Sequence, residues 1–214
     1  MSTVLAEKRG SITNISDGSH TVGAVTDHAV ATRRYTYATF PWEQLRDGTY
    51  AELIDGEVMF FNAPGQKHQQ ISMQLSIQIG TFLKGKVGKV YAAPFDVSLF
   101  PKDDGSDETI VMPDMSVILD MAKLQDDRYC KGAPDWIIEI ASPSTRSHDN
   151  VAKFNQYLKA GVREYWIVSP EDQTLQVHIL DGARYVSSAY DGDDTVPVSV
   201  LPGCAISLPD VFAA

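Results

Sequence analysis

Hydrophobic positions along this chain alternate between two periods, and the changes of period mark out its elements. Residues 50–54 and 57–61 are strand-like runs on either side of Asp55-Gly56, a dipeptide suited to the tight turn of a hairpin. Over residues 67–83 the period lengthens. Ile71, Leu75, Ile79, Phe82 and Leu83 recur at helical spacing, so this segment is expected to be a helix. Residues 87–100 read as one or two strands broken around Ala93-Pro94, and 102–108 as a polar, acidic loop. Residues 111–119 and 135–141 read as further strands. Ser142-Pro143-Ser144-Thr145 ends the second of these and offers N-caps to a helix over roughly 149–160, closed by Gly161. A strand over 164–168 follows, then a hairpin of 175–180 and 183–189 across Asp181-Gly182. Upstream, 39–45 has the look of a short capped helix.

The order is hairpin, helix, strands, helix, strand, hairpin, which predicts an α/β domain with a mixed sheet flanked by helices. Residues 1–34 are rich in Ser, Thr, Gly, Ala and Asp with little periodicity. They are expected to be a disordered extension, leaving 35–214 as the folded domain. No internal repeat is present.

Two apolar runs carry a charge each. Asp114, after Pro113, opens the run Met115-Ser116-Val117-Ile118-Leu119. Glu139 lies inside Trp136-Ile137-Ile138-Glu139-Ile140-Ala141. An ionised carboxylate in such a strand is costly unless it is paired or binds a cation. Lys153 enters from the following helix. There Val151, Phe154 and Leu158 are expected to form the apolar stripe, with Lys153 and Tyr157 at its flank.

Composition narrows the field. The length of 214 residues suits one domain with extensions. A net charge of −10 weighs against a simple nucleic-acid binder, which carries a basic surface, though not against an enzyme with a local basic patch. Arg33-Arg34, Lys84, Lys86 and Lys89 are the clustered bases, and scattered solvation accounts for them. Cys130 and Cys204 have no CxxC or Cys/His companions, which argues against zinc and fits a reducing cytoplasm. No apolar run reaches the ~20 residues of a membrane span. The N-terminus lacks the pattern of a signal peptide. Neither a GxSxG elbow nor a GxxxxGK[ST] phosphate loop is present.

Several pieces together carry a resemblance. Glu52-Leu53-Ile54-Asp55-Gly56-Glu57 is followed by His68 and Pro113-Asp114. Then come Glu139-Ile140-Ala141-Ser142-Pro143-Ser144-Thr145, Lys153 and Tyr157, and finally Gly161-Val162-Arg163-Glu164-Tyr165-Trp166-Ile167-Val168. In this order they resemble the Uma family, restriction-endonuclease-like proteins of the PD-(D/E)xK nuclease superfamily, over about residues 36–212. The resemblance implies a restriction-endonuclease-like fold, a divalent metal site and nuclease-like chemistry. Hard cations such as Mg²⁺ or Mn²⁺ neutralise a phosphoryl group and activate water, and they prefer carboxylate oxygens. Asp114 and Glu139 would supply these if their strands are neighbours, with the backbone carbonyl of Ile140 as a third ligand. The position two after Glu139 is Ala141 rather than lysine, and Lys153 is its likeness in the Uma pattern, relocated to the next helix. Its role would be to orient water or stabilise developing charge.

Each of these residues has a plainer reading. Pro-Asp at a strand start is often a turn carboxylate. Lys153 could simply pair with Asp149 at i,i+4. His68 opens the first long helix, where contact with substrate phosphate or metal site and a surface role weigh equally. Of Glu57 and Glu52, on the two arms of the first hairpin, at most one is expected to face the site. Ser142 and Ser144 are expected to cap a helix, Asp96 to be an ordinary strand residue, and Glu164, Tyr165 and Trp166 to be an edge charge and aromatic packing. The leading expectation is a metal-dependent DNA endonuclease using Asp114, Glu139 and Lys153, cytoplasmic and homodimeric if it cuts both strands. The alternatives are a non-catalytic binding module, with Tyr185 and Tyr190 as contacts if exposed, and a hydrolase of another phosphodiester.

Overall fold

The computed structural model describes residues 34–125, 127–141 and 149–213. The extension expected over 1–34 therefore lies, but for Arg34, outside the described residues, as do Ser142 and Ser144.

A 3-10 turn at Trp42–Gln44 stands where a short helix was expected, and precedes β1 (Thr49–Ile54) and β2 (Glu57–Asn62). These pair antiparallel across Asp55-Gly56, with Ile54 opposite Glu57. Then follow α1 (Gln66–Leu83), β3 (Lys89–Ala92), β4 (Asp96–Ser98), β5 (Ile110–Val111), β6 (Met115–Ile118), β7 (Tyr129–Lys131) and β8 (Trp136–Ile140). The chain continues through α2 (Asp149–Ala160), β9 (Glu164–Ser169), β10 (Thr174–Asp181), β11 (Arg184–Asp191), β12 (Thr195–Pro197), β13 (Ala205–Ser207) and α3 (Leu208–Phe212).

Two main sheets result. One has the order β2-β1-β5-β4-β7, the other β11-β10-β9-β8-β6-β3, and β12 with β13 makes a small third. The stretch 111–119, expected as one strand, is two. β5 joins β1 and β4 in the first sheet, whereas β6 joins β3 and β8 in the second. Pro113 sits at the break, and its missing N–H cannot continue a ladder. β8 and β9 run parallel, joined by the crossover that contains α2.

The six-stranded sheet has an apolar layer on each face. On one, Ile71, Leu75, Ile79 and Leu83 of α1 pack on Trp136, Ile138, Trp166 and Val168, together with the C-terminal strands and α3. On the other, Ile137, Tyr165 and Ile167 meet Tyr157 of α2 and Ile54, Val97 and Val111 of the five-stranded sheet. The expected stripe of α2 is corrected here. Val151 is 62% exposed, while Gln156 and Tyr157 are buried. The inward face of α2 is partly polar because it lies over a cluster of charges.

Candidate active site

That cluster sits where the two sheets and α2 meet. Glu139 is the fourth residue of β8 and shares the sheet face of Ile137, pointing toward α2 rather than toward α1. Asp114 lies just before β6. Its Oδ2 accepts a 2.6 Å hydrogen bond from the Ile140 N–H, which fixes the two carboxylates side by side on adjacent strands. From α2, Lys153 Nζ reaches Glu139 Oε1 at 3.1 Å, and one turn on Tyr157 Oη donates to the same oxygen at 2.5 Å. The i,i+4 spacing sets both donors on one helix face.

Glu52 closes the group from the opposite sheet. Its Oε1 lies 2.8 Å from Lys153 Nζ and accepts the Met112 N–H at 2.7 Å. Lys153 is thus held between carboxylates from both sheets, with all three side chains nearly covered. On the far side, His68 at the start of α1 places Nε2 3.1 Å from Asp114 Oδ1.

The electrostatics follow from burial. Removal from water pushes the Glu139 carboxyl up to about 7, and the charges of Asp114 and Glu52 push the same way, against Lys153 and the Tyr157 hydroxyl. Burial alone would favour a neutral Lys153 amine, but Glu139 and Glu52 outweigh it and hold the ammonium charged. Burial likewise lowers His68, yet its hydrogen bond and ion pair with Asp114, together with Glu139, raise it overall. Asp96, at the start of β4, rises to about 6 because it is mostly buried and lies near Glu52.

The structure therefore brings together Asp114, Glu139, Ile140, Lys153 and His68. It does not bring Glu57. That side chain sits at the mouth of the hairpin turn, half exposed and 3.8 Å from Arg34, whereas Glu52, farther along the same face of the hairpin, turns in beneath α2. Two residues of the cluster are not singled out by sequence. Alternation alone does not choose between Glu52 and Glu57, and Asp96 has the pattern of an ordinary strand residue. The usable signal for Glu52 was its alternation with Ile54, which puts a charge on an inward position. Glu164 is corrected as well. It is fully buried, not at an edge, since β10 covers β9. It accepts from Trp166 Nε1 and the Val200 N–H, both at 2.8 Å. Tyr185 and Tyr190 are half-buried packing residues, and Tyr185 Oη donates to the Val162 carbonyl. The bases Lys84, Lys86 and Lys89 lie beyond or at the end of β3 that faces Ile118, the opposite end of β6 from Asp114.

Among the described residues no three His, Cys, Asp or Glu side chains converge as a ready metal cage. Mg²⁺ does not demand one, because it keeps several waters and is held by one or two carboxylates. The donor set fits such an ion. Asp114 and Glu139 offer hard oxygens side by side on adjacent strands.

No helix among the described residues is long and apolar enough to cross a membrane. No curated protein matches the chain. Its fold is similar to the crystal structure of "a putative nuclease belonging to DUF820 from Anabaena variabilis", with a TM-score of 0.66 at 23% identity, over 84% of this chain and 98% of that one. Residues 36–209, a span that contains Glu52, Asp114, Glu139 and Lys153, match the family model Uma2, described as "Putative restriction endonuclease", and the chain belongs to the Uma2 family.

Proposed function

We propose that this protein is a metal-dependent nuclease that hydrolyses phosphodiester bonds in DNA, with Asp114 and Glu139 as ligands of Mg²⁺ or Mn²⁺. One observation carries the reading: Asp114 is tied to the backbone beside Glu139, and Lys153 stands 3.1 Å from the same Glu139. The Ile140 carbonyl supports it. In an extended strand the N–H and C=O of one residue face the same neighbour. The Ile140 N–H points at Asp114, so its carbonyl faces that side too.

When bound, the cation would neutralise the phosphoryl group and lower the pKa of an attacking water. The chain's own residues do the rest. Glu52 and Tyr157 fix Lys153 and Glu139, so that little rearrangement is needed when substrate arrives. Lys153 supplies a positive charge that stays on over the whole working pH range, placed to stabilise charge developing on the phosphate. His68, on the open side of Asp114, is positioned to meet a phosphate oxygen or the leaving group.

A second reading has its own support. Glu139 is already paired with Lys153, and Asp114 with His68, so the cluster is partly neutralised without a metal. That arrangement also suits a binding module on a nuclease-like fold. Calorimetric titration of Mn²⁺ into wild type and Asp114→Ala/Glu139→Ala, with cleavage of plasmid and of single-stranded circular DNA by the same proteins, separates the two. Binding and cutting that both vanish in the variant support the nuclease. A wild type that binds no Mn²⁺ overturns the metal centre and leaves the binding module.

A further inference from the structure

Beside the carboxylates, the turn between β3 and β4 carries a stacked aromatic pair. The rings of Tyr91 and Phe95 lie 4.2 Å apart and 13° from parallel. Both are half-buried, anchored on the apolar layer beneath α2, and the three residues between them, Ala92, Ala93 and Pro94, are exposed. This turn is tied to the site at two points. The Ala93 N–H donates to the Asp114 carbonyl at 3.0 Å, and Asp96, the residue after Phe95, feels the charge of Glu52. Tyr91 also shares the sheet face of Glu139. It pairs with Ser116, which pairs with Ile137, and Ile137 lies two residues from Glu139.

We propose that Tyr91 and Phe95 form a platform on which an unpaired base of the substrate strand stacks, so that the substrate is single-stranded nucleic acid. The proposal rests on the nuclease reading and names its substrate class. Three observations favour it. A parallel aromatic pair with solvent beside it is the surface that bases stack upon, and such stacking accepts any base because every base has a π-face. The reach is right as well. β3 is two strand spacings from β8, about 10 Å, which is about three nucleotides of a stacked strand. Finally, the net charge of −10, with the lysine cluster at the far end of the sheet, leaves little for a grip on duplex phosphates. Affinity has to come from a contact that does not depend on charge. A base inside a duplex cannot present its face to such a platform, whereas an unpaired one can.

The test is fluorescence anisotropy with a labelled 12-nucleotide single strand and the same sequence as a duplex, in Ca²⁺. The wild type, Tyr91→Leu/Phe95→Leu and Tyr91→Trp are compared, each first checked by thermal melting to be folded. Leucine keeps apolar volume and removes the π-face. The expected result is tighter binding of the single strand than of the duplex by wild type. In the double leucine variant that binding falls about tenfold or more, with an unchanged slope against salt, and Tyr91→Trp retains it. Equal single-strand affinity in the leucine variant, or a wild-type preference for duplex, overturns the platform. Cleavage of both oligonucleotides in Mn²⁺ is followed in parallel. Its absence in wild type counts against the nuclease reading, while the binding comparison still decides the platform.

Discussion

Asp96 shows what burial beside one other carboxylate does to a single residue. Its carboxyl has come mostly out of water beside Glu52, and both effects hold it protonated up to about pH 6. In the unfolded chain an aspartate titrates near pH 4. The neutral form is therefore the one the fold favours. Its contribution to stability is fully present below about pH 4 and is lost as pH rises through about 6. An asparagine keeps the shape and never ionises. Asp96→Asn should match wild type near pH 4 and exceed it by roughly 1–2 kcal/mol at pH 7.5, the full shift being discounted for the residue's partial exposure. Urea unfolding in EDTA at the two pH values measures this. An equal gain at both would mean that Asp96 packs poorly rather than that its charge is unwelcome. Glu139 is raised by burial as well, but against partners that partly offset it. It is more deeply placed, yet Lys153 and Tyr157 both meet its Oε1, so its charge has counterparts that Asp96 lacks.

At the scale of elements, α1 and α2 were legible nearly to the residue, because four or more turns of apolar periodicity or a glycine stop leave little freedom. Asp55-Gly56 likewise sits between paired strands, while the second hairpin turns one residue later than expected, at Gly182-Ala183, because Asp181 still pairs with Arg184. What escaped was short. β7, β12 and β13 have three residues each and α3 has five, too few for any period to register. β5 and β6 could not be told apart because both halves are apolar, and only the sheet each one joins distinguishes them. Within the site, Asp114 and Glu139 stood out as charges in apolar runs, and Lys153 through the family likeness. Glu52 did not, since its partner lies a hundred residues away on another element and alternation names a face without naming what covers it. The junction of α1 with β3 is set by geometry that only the fold reveals. Gly88 has φ +114°, and a Cβ there would lie 2.7 Å from Leu119 Cδ2 and 3.3 Å from the Ile118 carbonyl oxygen. Gly88→Ala combines a disfavoured backbone with a clash against a paired strand, so it should lower stability by about 2 kcal/mol or more. Gly85→Ala is the control, having a similarly positive φ and open space around the added methyl. In thermal melts, a Gly88→Ala loss no greater than that of Gly85→Ala would show that Leu119 moves aside at no cost.

For the whole molecule, the site is also the seam. Glu52 belongs to the five-stranded sheet and Glu139 to the six-stranded one, and Lys153 of α2 lies within 3.1 Å of both. The apolar layer around them, with Ile54 and Val97 on one side and Ile137 and Tyr165 on the other, would close as well around a neutral side chain. A buried ion pair is weak evidence of stability in itself, because desolvation offsets its attraction. Breaking it from one side is costly, since a buried charge is left without a partner. Lys153→Met should therefore destabilise the protein by about 3 kcal/mol or more at pH 8, where Glu139 and Glu52 would be left facing each other. Lys153→Met/Glu52→Gln/Glu139→Gln removes all three charges and keeps the volume. It should recover most of that loss while binding no Mn²⁺. Chemical unfolding gives the first quantity and calorimetry the second. If the triple variant is as unstable as the single one, the lysine stem, and not the charge balance, joins the two sheets. If it recovers stability and loses metal together, the charged seam is held against the molecule's own stability, as expected when the three groups are placed for chemistry rather than for folding.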